Sequence, residues 1–281
     1  MLNALTFDIE EWYHGNLFRF AEPQMARFPS RVAPPTMDIL DMLRASGTRA
    51  TFFFLGVVAR DHPELVRRAA SEGHEVACHG WEHRLLYTLS DDEVKQDLLR
   101  AKGLLEDISG TRVRGFRAPS WSISRRTTHL LRVLCECGFE YDSSAFPRGT
   151  PLFGVDGVSP GPTRISVGDG PGRWSIIESP AAAYDTGIGL GIPFGGGLFL
   201  RIWPYLLTRS WIRRLNGRGE PAVIYVHPWE LDMGLPVCSP VWRRMARDFN
   251  LRSTRPKLEA ILRDFSLGTV LEMLRERGLY E

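Results

Sequence analysis

A chain of 281 residues has room for one large barrel domain or two smaller domains, and is long enough to bury a substantial core. With 43% hydrophobic and 24% charged residues, its composition is that of an ordinary globular protein. A net charge of +2 gives no argument for nucleic acid or an anionic membrane as partner.

In chain order, strand-like apolar runs alternate with runs of helical spacing. A strand over 2–8 leads into an acidic cluster, Asp8-Ile9-Glu10-Glu11. A helix over 35–45 and a strand over 50–55 follow. The helix over 62–71 opens on Asp61-His62-Pro63-Glu64, a frame suited to a helix start. A strand over 74–79 ends in Cys78-His79-Gly80-Trp81-Glu82-His83, and Ser90-Asp91-Asp92-Glu93 is a capping box for a helix over 91–108. Next come a strand over 113–117, a helix over 126–137 and a strand over 139–142. Gly73, Gly110 and Gly138 follow three of the helices, where a left-handed residue is expected. Residues 147–172, rich in Pro and Gly, read as a long loop, either a binding loop or a plain connection. A strand over 174–178, a second loop over 187–197 ending in Gly195-Gly196-Gly197, a helix over 200–216 and a strand over 222–227 complete the alternation. The tail, 241–281, reads as helices packed on the outside, with Leu258, Ile261, Leu262 and Phe265 at core spacing.

Alternating strands and helices argue for a parallel sheet, and seven such units in this length for an α/β, TIM-like barrel. The expected organisation is one barrel over 1–238 with a C-terminal helical extension over 239–281.

Ionisable residues fall at the carboxyl ends of five strands: Asp8, His79, Arg117, Asp142 and His227. That is where barrel enzymes build their active sites. Each has an ordinary structural reading taken alone: a cap, a structural ion pair, a turn former, a satisfied core histidine. Their joint placement is the signal. Two imidazoles four residues apart, with a carboxylate, make a three-ligand metal site with room for water. In an extended strand Asp8 and Glu10 project to the same face, and Glu11 points away.

These residues together resemble the polysaccharide deacetylase family, which shares the NodB-homology domain (carbohydrate esterase family 4). The resemblance runs from about Leu5 to Trp229 through five ordered segments: Thr6-Phe7-Asp8-Ile9-Glu10, His79-Gly80-Trp81-Glu82-His83, Arg117-Ala118-Pro119-Ser120-Trp121, Asp142-Ser143-Ser144-Ala145-Phe146 and Tyr225-Val226-His227. It implies a distorted (β/α)7 barrel. It implies Asp8 as catalytic base, His79 and His83 as ligands of a divalent metal, Arg117 orienting the base, Asp142 tuning the acid and His227 as general acid. Trp121 and Phe146 would wall a sugar groove. The usual second Asp is replaced by Ile9, which makes Glu10 the third ligand in this reading. The chain is also similar to a branch with a C-terminal extension found with bacterial exopolysaccharide clusters.

The expected activity is removal of N-acetyl groups from an N-acetylated glycan. Zinc suits two imidazoles and a carboxylate, as do other divalent ions. Trp12, Tyr13, Trp81, Trp121, Phe146 and Trp229 fall near the mouth, where aromatic faces suit sugar rings and core packing competes as an explanation. An amidohydrolase acting on a small cyclic or linear amide and a non-catalytic glycan-binding protein remain as alternatives. Four cysteines without a Cys-x-x-Cys pair fit reduced thiols, and the first residues show no signal-peptide pattern, so a cytoplasmic location, near the inner membrane, is expected. No apolar run is long enough to span a bilayer, and the oligomeric state is not readable.

Overall fold

The computed structural model describes residues 1–15, 20, 25, 27–123, 127–145, 159, 161–167, 174–186, 191–237 and 241–281. Its strands are β1 (Asn3–Ile9), β2 (Thr51–Phe54), β3 (Glu75–Cys78), β4 (Gly115–Phe116), β5 (Tyr141–Asp142), β6 (Thr163–Val167), β7 (Trp174–Glu178), β8 (Ala183–Asp185), β9 (Gly191–Pro193), β10 (Val223–Val226) and β11 (Leu267–Gly268). The main sheet runs β10-β1-β2-β3-β4-β5-β7-β6, with β11 beside the start of β1. All pairs in it are parallel except β6 with β7. This is the curled parallel sheet of a (β/α)7 barrel, and each expected strand is present.

The gap between β7 and β10 is bridged by backbone. The Ala182 N–H donates to the Val223 carbonyl at 3.0 Å, and the Tyr225 N–H to the Gly195 carbonyl at 2.9 Å. Gly196 makes that approach possible, because a Cβ there would lie 1.8 Å from the Tyr225 carbonyl oxygen.

Strand alternation divides the sheet into two faces. Leu5, Phe7, Phe52, Phe54, Val76 and Cys78 face the helical layer and form most of the large core. Ala4, Phe53, Ala77, Tyr141, Ile177 and Val223 fill the interior of the curl. Ser90 caps the helix Asp91–Ser109 as a capping box, and Gly110 ends it at φ 66°.

Three expectations need correction. The segment read as a loop over 147–172 contains β6, whose Thr-Arg-Ile-Ser-Val alternation pairs with β7, and the loop over 187–197 contains β9. Pro and Gly richness around these strands masked a period-2 pattern. The helix expected over 200–216 is two, Gly197–Ile202 and Tyr205–Gly217. Pro204 lacks an N–H and forces Trp203 into extended backbone at ψ 135°. The tail is not only an outer layer. Its helices Thr254–Asp264 and Val270–Glu276 bury Leu258, Ile261, Val270 and Leu274, but β11 between them joins the central sheet. Among the described residues no helix is long and apolar enough to cross a membrane.

Candidate active site

β1 delivers two carboxylates to the mouth of the curl. Asp8 and Glu10 are both buried, and Glu11 turns away to accept the backbone N–H groups of Arg31 and Val32 ahead of the helix Ala33–Ser46. His79 follows β3 directly. Its Nδ1 lies 2.8 Å from the Arg117 carbonyl, which can only accept, so Nδ1 carries the proton and Nε2 keeps its lone pair. His83 comes back to the same point because the intervening segment is a pinned bend rather than a helix. Gly56 and Val57 N–H groups hold the carbonyls of Gly80 and Trp81, Asp97 holds the Trp81 N–H at 2.8 Å, and His83 itself sits at φ 57°. A non-glycine residue in that region persists only where its surroundings impose it.

The result is a compact, buried ligand set. Donor atoms of Glu10, His79 and His83 all lie within 4.8 Å of one another. His83 Nε2 is 2.7 Å and His79 Nε2 4.0 Å from Glu10 Oε2, an oxygen that is buried yet has no aligned hydrogen-bond partner. Burial works against ionising Glu10, but the imidazoles of His83, His227 and His79 outweigh it and hold its carboxyl well below the usual range. Burial pushes His79 down to about 4, which keeps it neutral, the form that can hold a metal. These donors fit a divalent cation.

Asp8 stands beside this set and is held by Arg117, whose Nη1 donates to Asp8 Oδ1 at 2.7 Å and to Thr6 Oγ1 at 2.8 Å. Arg117 is fully buried; its Nε and Nη2 donate to the carbonyl and hydroxyl of Ser143, and its guanidinium lies 4.2 Å from the Phe53 ring centre. His227 Nε2 faces both acids, 3.9 Å from Asp8 Oδ2 and 3.9 Å from Glu10 Oε1. Its Nδ1 meets Glu230 Oε1 at 2.7 Å, and Glu230 Oε2 lies 2.8 Å from the Nε of the buried Arg201. Burial alone would lower His227, but Glu230, Glu10 and Asp8 lift it to about 9. Burial would likewise raise Glu230, and Arg201 and His227 bring it below the usual carboxylate range.

Asp142 is elsewhere. Tyr141 and Ser143 point into the curl, so alternation turns Asp142 to the outer face, where it sits in register with Glu178. It accepts from Ser144 Oγ at 2.5 Å; burial raises Asp142 to about 6, and burial together with the neighbouring Asp142 holds Glu178 well above the usual carboxylate range. The carboxylate on His227 is Glu230, not Asp142. The expected tuning role therefore has no contact behind it.

The comparisons follow the same geometry. The family model for polysaccharide deacetylases matches residues 4–141, and a model described as a domain of unknown function, DUF3473, matches residues 143–275. The chain belongs to the polysaccharide deacetylase family. A peptidoglycan-N-acetylglucosamine deacetylase of Bacillus cereus is 33% identical over 84 residues, 30% of this chain and 30% of that protein. A chitooligosaccharide deacetylase of Sinorhizobium fredii is 32% identical over 126 residues, 44% of this chain and 57% of that protein. The matched stretches thus span less than two thirds of these relatives' own length. Among solved structures, a "putative polysaccharide deacetylase from Mycobacterium smegmatis" has a TM-score of 0.64 at 24% identity, over 98% of this chain and 88% of that one. A family 4 carbohydrate esterase from Streptomyces lividans has a TM-score of 0.51 at 18% identity, over 95% and 91%. These likenesses show the shared fold.

The candidate centre draws on both matched regions. Asp8, Glu10, His79, His83 and Arg117 fall in the first; His227, Glu230 and Arg201 fall in the second. Of the aromatic residues expected to wall a groove, Trp121 lies partly exposed at the mouth, 5.0 Å from Tyr225 between ring centres and with the Arg117 guanidinium 5.1 Å from its own. Trp81 does not wall a groove: it is 6% exposed, packed on Gly56, with the Arg100 guanidinium 3.6 Å over its ring. Trp229 is buried as well, stacked on His227 and donating to Glu10 Oε1 at 3.3 Å, so it braces the site. Phe146 lies outside the described residues. Sequence reasoning missed Thr6, Ser143, Glu230 and Arg201. Only Glu230 left a local trace, three residues after His227 and bonded to its N–H as in a capping box.

Proposed function

We propose that this protein is a metal-dependent hydrolase that removes N-acetyl groups from an N-acetylated polysaccharide or oligosaccharide, in bacterial exopolysaccharide biosynthesis. The observation that carries the reading is the convergence of a buried Glu10–His79–His83 set with Asp8 and His227, whose Nε2 lies 3.9 Å from both Asp8 and Glu10. A divalent ion on those three residues, zinc in our reading, would supply Lewis acidity to the acetyl carbonyl and make water more acidic. Asp8, fixed by Arg117, receives the proton of the attacking water. His227 presents Nε2–H to the departing sugar amine, which leaves only when protonated. Glu230 on Nδ1 keeps that ring oriented and stabilises its cationic form.

The exopolysaccharide assignment rests on the branch resemblance noted in the sequence. The family's substrates in related proteins support the acetylated-glycan class. Acetate release from N-acetylated chitooligosaccharides, from acetylated exopolysaccharide and from small ureide amides tests the reading. Turnover of ureides with none of any acetylated saccharide refutes the substrate class; glycan binding without turnover refutes catalysis.

A further inference from the structure

Glu10 carries its charge at the end of a side chain with one more rotatable bond than an aspartate, so something must fix which oxygen faces the two imidazoles. Its two oxygens stand in different surroundings. Oε2 is buried 2.7 Å from His83 Nε2 and 4.0 Å from His79 Nε2, without an aligned hydrogen-bond partner. Oε1 is turned the other way, toward His227 and Trp229, and accepts the indole N–H of Trp229 at 3.3 Å. An indole nitrogen can only donate, so this contact has one sense.

The donor is itself held in place. Trp229 sits in the short turn Pro228–Leu231 that follows β10, where the Glu230 N–H donates to the His227 carbonyl at 3.0 Å and the Asp232 N–H to the Trp229 carbonyl at 3.2 Å. Its buried ring stacks on His227 at 23° with centres 5.3 Å apart, packs with Trp12 and Leu251, and has the Arg201 guanidinium 5.5 Å from its centre. A carboxylate gripping an ion with both oxygens would have to give up the indole bond. One engaged by the indole offers a single oxygen. Three single-atom donors, one from each of Glu10, His79 and His83, keep the protein's share of the coordination shell small. That suits a four-coordinate ion such as zinc better than the six-oxygen shell favoured by manganese.

We propose that Trp229 is a positioning residue for the metal ligand Glu10: its N–H occupies Oε1, confines Glu10 to binding through Oε2 alone, and so makes the site selective for a four-coordinate divalent ion. The inference rests on the ligand assignment made in the deacetylase reading above. Its test uses Trp229→Phe, which keeps a ring against His227 without the N–H. A second variant replaces Trp229 by 3-benzothienylalanine, which carries sulfur in place of the indole N–H and keeps the bulk that folding needs. Zinc and manganese Kd are measured by competition with a chelator. The visible spectrum of the cobalt-loaded protein reports coordination number, because four-coordinate cobalt absorbs far more strongly than six-coordinate cobalt. Loss of an outer hydrogen bond of this kind typically weakens metal binding about 10- to 100-fold. The expected result is that loss for zinc, a smaller change for manganese and a weaker cobalt spectrum, in the benzothienyl variant even where Trp229→Phe fails to fold. Folded variants that keep the wild-type cobalt spectrum and zinc-to-manganese preference give Trp229 a packing role only and overturn the proposal, whether or not they bind more weakly. A wild type that binds no divalent ion overturns the ligand assignment with it. A wild type that binds the ion but releases acetate from no glycan overturns the deacetylase reading alone.

Discussion

Glu230→Gln is the most direct probe of how the acid of this site is built. The substitution keeps shape and removes one charge from a buried chain: His227 Nδ1 to Glu230 at 2.7 Å, then Glu230 to Arg201 at 2.8 Å, then Arg201 Nη1 to the carbonyls of Arg247 at 2.6 Å and Phe249 at 2.7 Å. A hydrogen bond to a charged group contributes roughly 1.5–3 kcal/mol. If that stabilisation belongs to the cationic ring formed along the reaction path, kcat falls by about 10- to 150-fold. The variant also leaves Arg201 buried beside a neutral amide, so Tm should drop. The sign for pH follows from His227, whose pKa Glu230 helps lift to about 9. A raised histidine contributes stability fully below its ordinary value near 6.5 and loses it as pH rises through about 9. In Glu230→Gln that upper boundary moves down, and the alkaline limb of the kcat profile moves down with it. A cation on Glu10 lowers the His227 pKa in both proteins, so the displacement between them is the readout. The assay is acetate release against pH at saturating metal, with equal metal content confirmed. A folded, metal-replete variant with the wild-type kcat and an unmoved alkaline limb refutes the reasoning.

Elemental analysis should find one divalent ion per chain in wild type and essentially none in a His79→Ala, His83→Ala double variant; equal contents would remove the ligand assignment. Asp8→Asn should keep its metal and lose about 10²–10⁴-fold in turnover, as expected for a proton acceptor; a metal-depleted variant would instead make Asp8 a ligand. Glu178→Gln should flatten the fall of Tm with rising pH. The Asp142–Glu178 pair has raised pKa values, so its stabilisation is complete below the ordinary carboxylate range and is lost as pH climbs through about 6 and beyond. The glutamine amide donates to Asp142 without that loss. Thermal melts between pH 5 and 8 check this, and parallel curves for the two proteins would count against a shared proton.

The chain's own pattern determined the sheet and the reactive ends of its strands. Strand periodicity and short connections are local, so Asp8, Glu10, His79, His83, Arg117 and His227 could be placed at one mouth from their positions alone. The period of two also carried information that residue-type matching overlooked: with Tyr141 and Ser143 inside, Asp142 had to face outward. Aromatic composition near the mouth could not say which rings were free. Trp81 and Trp229 are consumed by packing against Gly56, Arg100 and His227, contacts that depend on how layers meet. Tertiary structure alone decided the counter-ion that holds Glu230 on the acid. Glu230 lies 29 residues after Arg201 along the chain, and the carbonyls that anchor Arg201 lie 46 and 48 residues after it. Sequence spacing encodes which side chains share a face of one element. Whether a buried charge finds its counter-ion depends on where the curl of the sheet and the C-terminal helices bring distant elements together. Desolvation leaves few alternatives once they meet.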